Sequence, residues 1–302
     1  MPKTLVIINP ASGGGRAKAL GTKIEGELAK TLGGCEIRWA KGKNDLRRLA
    51  EEAVEFSLVV ACGGDGTISE VANGLFRSGR NLETVLGILS IGTGGDLIRS
   101  LRIPHSLKEQ IELLQGRQET VIDVGRVEYQ TEDHRQSRIF LNIADAGMGT
   151  DVLKRLGEHR RRFGRNFAYV AASFASYLKR RPLEVQITLD GEKGWQVEAL
   201  VIAVANGQSF GGGMRIAPKA DLRDGLFDVV ILKDFGPPWV PIVTPLLYSG
   251  RLGLLPQVQT FKARQVEIVS PTTVELDIDG ELIGALPARF ELLPRSIRVK
   301  AP

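Results

Sequence analysis

Along its first 125 positions the chain alternates short runs of aliphatic and β-branched residues with longer stretches whose apolar residues recur at helical spacing. TLVII (4–8) predicts a buried strand, followed by a helix over 17–32. CEIRWA (35–40) precedes a polar helix at 44–55, SLVVA (57–61) a helix running to Arg77, and TVLGILSI (84–91) a short helix. Strands alternating with helices predict a parallel sheet with helices on its faces, which binds ligands outside the carboxyl ends of its strands.

Beyond Gly125 the period changes. Runs at 183–189 and 197–204 flank Asp190-Gly191, a hairpin signal, and 266–269 and 274–278 continue the strand pattern. One long helical stretch interrupts them at 150–180. The expected fold class is α/β plus β, a doubly wound parallel sheet followed by a mostly antiparallel β domain. The expected domains are 1–125 and 126–292, with a tail over 293–302 that could return to the first.

Length and composition agree with two domains: 302 residues, 43% of them hydrophobic. Forty basic residues against 35 acidic ones give a net charge of +5, which suits anionic partners such as nucleotides or acidic lipid surfaces. Cys35 and Cys62 each lie in or beside a predicted strand, which points to packed thiols in a reducing, cytoplasmic compartment. The apolar start at Leu5 ends at Asn9-Pro10, so no secretory leader is expected. The apolar stretch from Trp239 to Pro256 is broken by Pro241, Pro245, Gly250 and Arg251, so any membrane contact is expected to be peripheral. His105, His134 and His159 have no metal-ligand spacing, and no basic groove interleaved with aromatics suggests nucleic acid.

The chemistry sits in three glycine-rich turns, each after a predicted parallel strand: SGGGR (12–16), GGDGT (63–67) and GTGGD (92–96). Such turns bring backbone N–H groups close to phosphate oxygens at helix N-termini. Neither a P-loop nor a dinucleotide fingerprint is present. Thr67 with Glu70 has the spacing of a helix capping box. Asp65 has no such local reason, because a carboxylate at a phosphate cradle repels phosphate unless it serves a metal, a hydroxyl or a cation. With Asp96 in the next turn, two carboxylates beside phosphate cradles suggest magnesium-assisted phosphoryl transfer.

These turns, preceded by NPASGG (9–14), resemble the diacylglycerol kinase catalytic domain, shared with sphingosine and ceramide kinases and bacterial soluble lipid kinases. The resemblance continues in family order through IDVG (122–125), FLNIADAGMGTDV (140–152), GGGMRIAPKADLRDGLFDVV (211–230) and DIDGELI (277–283). It implies an N-terminal domain similar to those of NAD kinases and phosphofructokinases, a C-terminal β-sandwich, and ATP bound between them. By this resemblance Asn9, Pro10, Gly13, Gly14, Gly63, Gly64, Asp65, Gly66, Thr67, Gly92, Thr93 and Gly94 would line the nucleotide, with Asp65 and Asp96 in the magnesium network. A structural magnesium is implied at the Asp224 side chain and the Asp221 and Leu226 carbonyls, and the catalytic base at Asp279 with Glu281 beside it.

Asp190-Gly191-Glu192 repeats the same tripeptide, and local sequence reads both as hairpin turns; family order alone selects Asp279. The third turn departs from the family pattern, with Ser90 in place of a proline and Gly95 in place of an asparagine.

The reading that results is an ATP- and Mg2+-dependent lipid kinase, diacylglycerol first among acceptors, working at the membrane surface, with a homodimer possible. Alternatives are an NAD kinase, whose Asn-Glu pair has no counterpart where Asn142 is followed by Ile143, or a nucleotide-binding protein without catalysis. The basic clusters at 160–162 and 179–181 bracket an apolar stretch. They fit either an anionic membrane surface or a core helix with solvated ends; the scatter of Phe163, Phe167, Tyr169, Phe174 and Tyr177 favours the helix.

Overall fold

A computed structural model describes residues 3–92, 94–131, 134–148, 150, 182–236 and 239–302. The helical stretch expected at 150–180, with its basic clusters, lies almost wholly outside the described residues, as does Thr93. The chain divides into two compact units, Met1–Val124 with Pro294–Pro302, and Gly125–Leu293.

The first unit is a parallel sheet. Strands β1 (Thr4–Ile8), β2 (Glu36–Trp39), β3 (Leu58–Gly63) and β4 (Val85–Ser90) run in the order β2-β1-β3-β4. The end of the last strand of the chain adds beside β4, pairing Arg298 with Val85 and Val299 with Leu86. Every residue of β1 and β3 is buried, which is why they read as unbroken apolar runs rather than alternating ones.

Helices α1 (Arg16–Leu32), α2 (Lys43–Glu51), α3 (Asp65–Arg77), α4 (Asp96–Ser100) and α5 (Leu107–Gln115) complete the unit. Helix α1 ends on Gly33 in the left-handed region, and α2 lies against α3 so closely that a side-chain carbon on Gly74 would collide with the Arg47 carbonyl and Ala50. The same contact brings Arg47 onto Glu70, with Nε to Oε2 at 2.8 Å and Nη2 to Oε1 at 3.0 Å.

The second unit is antiparallel. Its strands are β5 (Thr120–Gln130), which enters it at Gly125, β6 (Arg135–Phe140), β7 (Ile143–Gly147), β8 (Leu183–Leu189), β9 (Trp195–Ala199), β10 (Val201–Ala205) and β11 (Phe227–Leu232). Then follow β12 (Val258–Ala263), β13 (Gln265–Val269), β14 (Glu275–Ile278) and β15 (Glu281–Val299), which leaves the unit after Leu293, with helix α6 (Val240–Ser249) between β11 and β12. One layer runs β12-β11-β10-β7-β14-β15; off it β15 pairs with β5 and β13, β5 with β6, and β8 with β13 and β9. Phe140, Phe227 and Phe290 fill the core, with Phe140 stacked on Phe227 at 5.6 Å between centroids.

The hairpin expected around Asp190-Gly191 is longer than the two-residue signal implied, since pairing resumes only at Trp195 opposite Ile187. The single run at 197–204 is two strands. At Leu200 the chain leaves β9, which pairs with β8, for β10, which pairs with β7 and β11; the Leu200 N–H donates to the Leu232 carbonyl at 2.7 Å.

Gly125 stands opposite Phe140 in the β5–β6 pair, and a side-chain carbon there would overlap the Phe140 ring. Gly125→Ala should destabilise the protein by about 1–3 kcal/mol in urea unfolding through overpacking. Gly191→Ala, with open space around it but φ of 74°, should cost only the left-handed conformation, about 1 kcal/mol. Equal losses would mean that the Phe140 ring yields to the added methyl.

Candidate functional site

The three glycine turns leave the carboxyl ends of β1, β3 and β4 and pack against one another backbone to backbone. The Gly63 carbonyl accepts the N–H groups of Ile91 at 2.9 Å and Gly92 at 3.1 Å, joining the second turn to the third. A side-chain carbon on Gly92 would overlap Gly64, and one on Gly13 would stand 2.8 Å from the Ile91 carbonyl. The Asn9 amide nitrogen donates to the Thr67 hydroxyl at 2.9 Å, and the Ser12 hydroxyl lies 3.3 Å from it, tying the first turn to the second. Pro10 lies in the first turn, half-buried, and Gly66 in the first turn of α3.

Gly13, Gly14 and Gly15 all have positive φ, and around Gly14 and Gly15 nothing stands within 4 Å of where a side chain would begin. Helices α1 and α3 both start from these turns, on Gly15 and Gly64, with no side-chain hydrogen bond at either cap. A helix that begins in a glycine turn without a side-chain cap is the arrangement that receives phosphate.

Thr67 and Glu70 do not form the expected capping box. Thr67 is bound to Asn9 and Ser12, and Glu70, fully buried, is held by Arg47 on α2. The capping spacing is local, whereas Glu70 meets a charge from another helix.

Asp65 does have a structural task. Its Oδ2 accepts the Gly95 N–H at 2.8 Å and its Oδ1 the Leu97 N–H at 3.3 Å, so it caps α4 from the neighbouring turn. A side-chain carbon on Gly94 would overlap Asp65 Oδ2 and lie 3.7 Å from Asp96 Oδ2. Burial, then the Asp96 charge, push the Asp65 carboxyl above the usual carboxylate range against three backbone N–H donors. Asp96 is buried and pairs with Arg99 Nη1 at 3.0 Å. Two carboxylates from neighbouring turns crowded around Gly94 fit a divalent ion that takes further ligands from phosphate oxygens and water. Among the described residues no group of three or more acidic, histidine or cysteine side chains could hold one unaided.

The two family departures have local causes. Gly95 has φ of 65°, a left-handed conformation that asparagine also tolerates. Ser90 donates its N–H to Gln110 Oε1 at 2.9 Å, which a proline could not do, and the buried Gln110 in turn donates to the Pro104 carbonyl at 2.7 Å.

In the second unit Asp279 and Gly280, both with positive φ, form the turn between β14 and β15. Asp279 is buried: its Oδ1 accepts the N–H groups of Asn142 at 2.9 Å and Ile143 at 3.3 Å, and its Oδ2 that of Leu141 at 3.0 Å. Asp190 repeats the left-handed conformation and accepts the N–H groups of Arg264 and Gln265, both at 2.8 Å, but at the surface. Backbone capping is therefore common to both Asp-Gly-Glu turns. Burial distinguishes Asp279, as does the ion pair of the adjacent Glu281 with buried Arg138 at 3.5 Å.

Asp277 does not face solvent, as an ordinary hairpin would have it. It pairs in register with Asp145 on β7, and both are buried, each with one oxygen lacking a hydrogen-bond partner among the described residues. Burial pushes the Asp145 carboxyl up to about 7 although a hydrogen bond from Asp277 opposes it. Asp277 is raised well above its ordinary value, by burial first and the Asp145 charge second. Both shifts disfavour two negative charges on the facing carboxyls. Sequence reading passed over Asp145; an acid inside the otherwise apolar strand Ile143–Gly147 was the available signal.

The loop implied for a structural magnesium is differently occupied. Asp224 Oδ1 accepts the Leu226 N–H at 3.0 Å, and its Oδ2 pairs with Lys262 Nζ at 2.6 Å, which also reaches Asp228 at 2.9 Å. Asp221 Oδ1 accepts the Arg223 N–H at 3.1 Å. An ammonium on the Asp224 carboxylate does not fit a divalent ion there. Cys62, whose thiol burial pushes up to about 12, is a packed residue rather than a nucleophile.

Residues 3–127 match the family described as diacylglycerol kinase catalytic domain, and residues 142–301 match the YegS C-terminal NAD kinase beta sandwich-like domain. The chain is 33% identical to a diacylglycerol kinase of Bacillus subtilis, covering 85% of this chain and 82% of that one. It is 30% identical to the lipid kinase YegS of Escherichia coli, covering 88% and 85%. A crystal structure of a diacylglycerol kinase from Bacillus anthracis superposes with a TM-score of 0.75 at 24% identity over 100% of this chain and 97% of that one, a likeness of fold.

Asp145 and Asp277 hold a proton more tightly folded than unfolded, so their contribution to stability is whole below about pH 4, the range of unfolded carboxyls, and fades as pH rises through about 7. Between those limits each proton released should lower unfolding free energy by at most about 1.4 kcal/mol per pH unit. Denaturant unfolding at pH 5 to 8 should show a shallower decline for Asp277→Asn than for wild type. Parallel curves would mean the pair holds no proton.

Proposed function

The chain belongs to the diacylglycerol kinase catalytic-domain family, and from that premise we propose that it transfers the γ-phosphate of ATP, with Mg2+, to a lipid hydroxyl, diacylglycerol being the first candidate. The observation that carries the chemistry is the crowding of Asp65 and Asp96 inside the glycine cluster at which α1 and α3 begin. The open surface around Gly14 and Gly15, where α1 begins, would receive phosphate oxygens, and the Asn9–Thr67–Ser12 bonds keep that surface in shape. Magnesium held by Asp65 and Asp96 would neutralise phosphate charge, which with positioning supplies most of the catalysis in phosphoryl transfer.

Asp279, with Glu281 beside it, is proposed to receive the proton of the lipid hydroxyl. Three backbone donors fix the direction of the Asp279 carboxylate, so it needs no reorganisation to meet the acceptor. The diacylglycerol choice is supported by the Bacillus subtilis relative's name; a location in the cytoplasm, at the membrane surface, follows as part of the same proposal.

Labelled γ-phosphate from ATP, offered with magnesium to micelles of diacylglycerol, sphingosine, ceramide or phosphatidylglycerol and to NAD in parallel, tests this reading. Label should enter one lipid, and Asp279→Asn should lower the rate by about a hundredfold or more. Thermal unfolding run beside it separates lost chemistry from lost fold. Label on NAD alone would replace the reading by NAD kinase, and nucleotide binding with no transfer by a non-catalytic binder.

A further inference from the structure

Helix α6 and the 3-10 turn Leu252–Leu254 that follows it present an outer face to solvent. Positions 235–256 contain no acidic residue and a single charged one, Arg251. Trp239, Ile242 and Leu254 are 44%, 49% and 75% exposed, and they are three of the eight large apolar side chains most exposed among the described residues. Trp239, Ile242, Pro245 and Ser249, spaced along one helical face, are all exposed, while Val243, Leu252 and Leu255 turn inward onto Ile216 and Phe235. The segment therefore has a satisfied inner face and a second apolar face that meets water.

The rim of that face is basic. Arg215 is exposed and sits at the carboxyl end of α6, its N–H donating to the Leu247 carbonyl at 3.0 Å. A side chain beginning at Gly250 would lie 3.4 Å from the Arg215 guanidinium. Arg251 and Lys219 are exposed as well. Asp234, the acid nearest along the chain, accepts the Gly236 N–H at 3.0 Å in its own loop. Exposed tryptophan and aliphatic residues without acids, bordered by arginines, match the boundary between acyl chains and anionic headgroups.

We propose that this face docks the second unit onto an anionic bilayer, with Trp239, Ile242 and Leu254 entering the headgroup boundary and Arg215 and Arg251 meeting lipid phosphates. The biological purpose, access to an acceptor that never leaves the bilayer, rests on the lipid-kinase reading; the surface itself does not.

Flotation of the full chain with phosphatidylglycerol-containing vesicles, and with neutral phosphatidylcholine vesicles, reads the docking directly. Wild type should float with the anionic vesicles, and Trp239→Ser with Ile242→Ser should weaken that binding about tenfold or more. Leu254→Ser should weaken it independently, and Arg215→Gln with Arg251→Gln should lower the preference for anionic lipid. Unfolding midpoints close to wild type confirm that the variants fold. Transfer to a short-chain, water-soluble acceptor should be unchanged in the apolar variants while transfer to vesicle lipid falls. If no lipid is ever labelled but flotation still depends on Trp239 and Ile242, docking stands and the kinase reading falls. Wild-type flotation that the apolar variants leave intact, or a dimer that they dissolve without any vesicle binding, would overturn the proposal.

Discussion

Where the second and third glycine turns meet, neither Gly92 nor Gly94 has room for a side chain. Gly92 lies on Gly64, the Gly63 carbonyl takes the N–H groups of Ile91 and Gly92, and Gly13 presses on the Ile91 carbonyl. Packing of loop on loop is what Gly13, Gly92 and Gly94 answer to, while Gly14 and Gly15 have open space around them. Because the turns close on one another, the N-termini of α1 and α3 open on the same cluster and Asp65 reaches the backbone that starts α4. A residue that looks misplaced beside a phosphate cradle is thus a strut between two loops before it is anything else.

The second unit orders its polar groups by a different route. Its aspartates cap strands rather than helices, in left-handed turns where Asp-Gly is favoured. Asp190 does this in water and Asp279 does it in the interior, beside a buried pair of carboxyls. Burying three carboxyls works only where backbone N–H groups, or a carboxyl raised enough to stay protonated, replace water. Asp279 has the first and Asp145 with Asp277 the second.

Much of this was legible in the sequence wherever the cause was local. β1, β3 and β4 were readable because strands buried on both faces are unbroken runs, and the Asp279-Gly280 turn because its chemistry lies in two residues. What was illegible depended on partners far along the chain. Glu70 resembled a cap because its true partner, Arg47, is on another helix. Asp145 carried no meaning until β14 placed Asp277 across from it. The run at 197–204 divides into β9 and β10 because the two halves pair with different neighbours, and no property of the run itself marks Leu200 as the crossing point. Lys262, which neutralises Asp224 and Asp228, is likewise a tertiary arrangement.

The bond from Ser90 to Gln110 has a consequence for how such a chain can change over generations. A proline at position 90 would remove the N–H and leave a buried amide oxygen facing nothing, while an apolar residue at 110 alone would strand both the Ser90 donor and the Pro104 carbonyl. Neither single step is neutral, so the two positions form a locked couple whose members must be exchanged together. A lineage that carries serine and glutamine here is separated from one that carries proline by a double substitution, and the third turn would then record ancestry as much as it records binding.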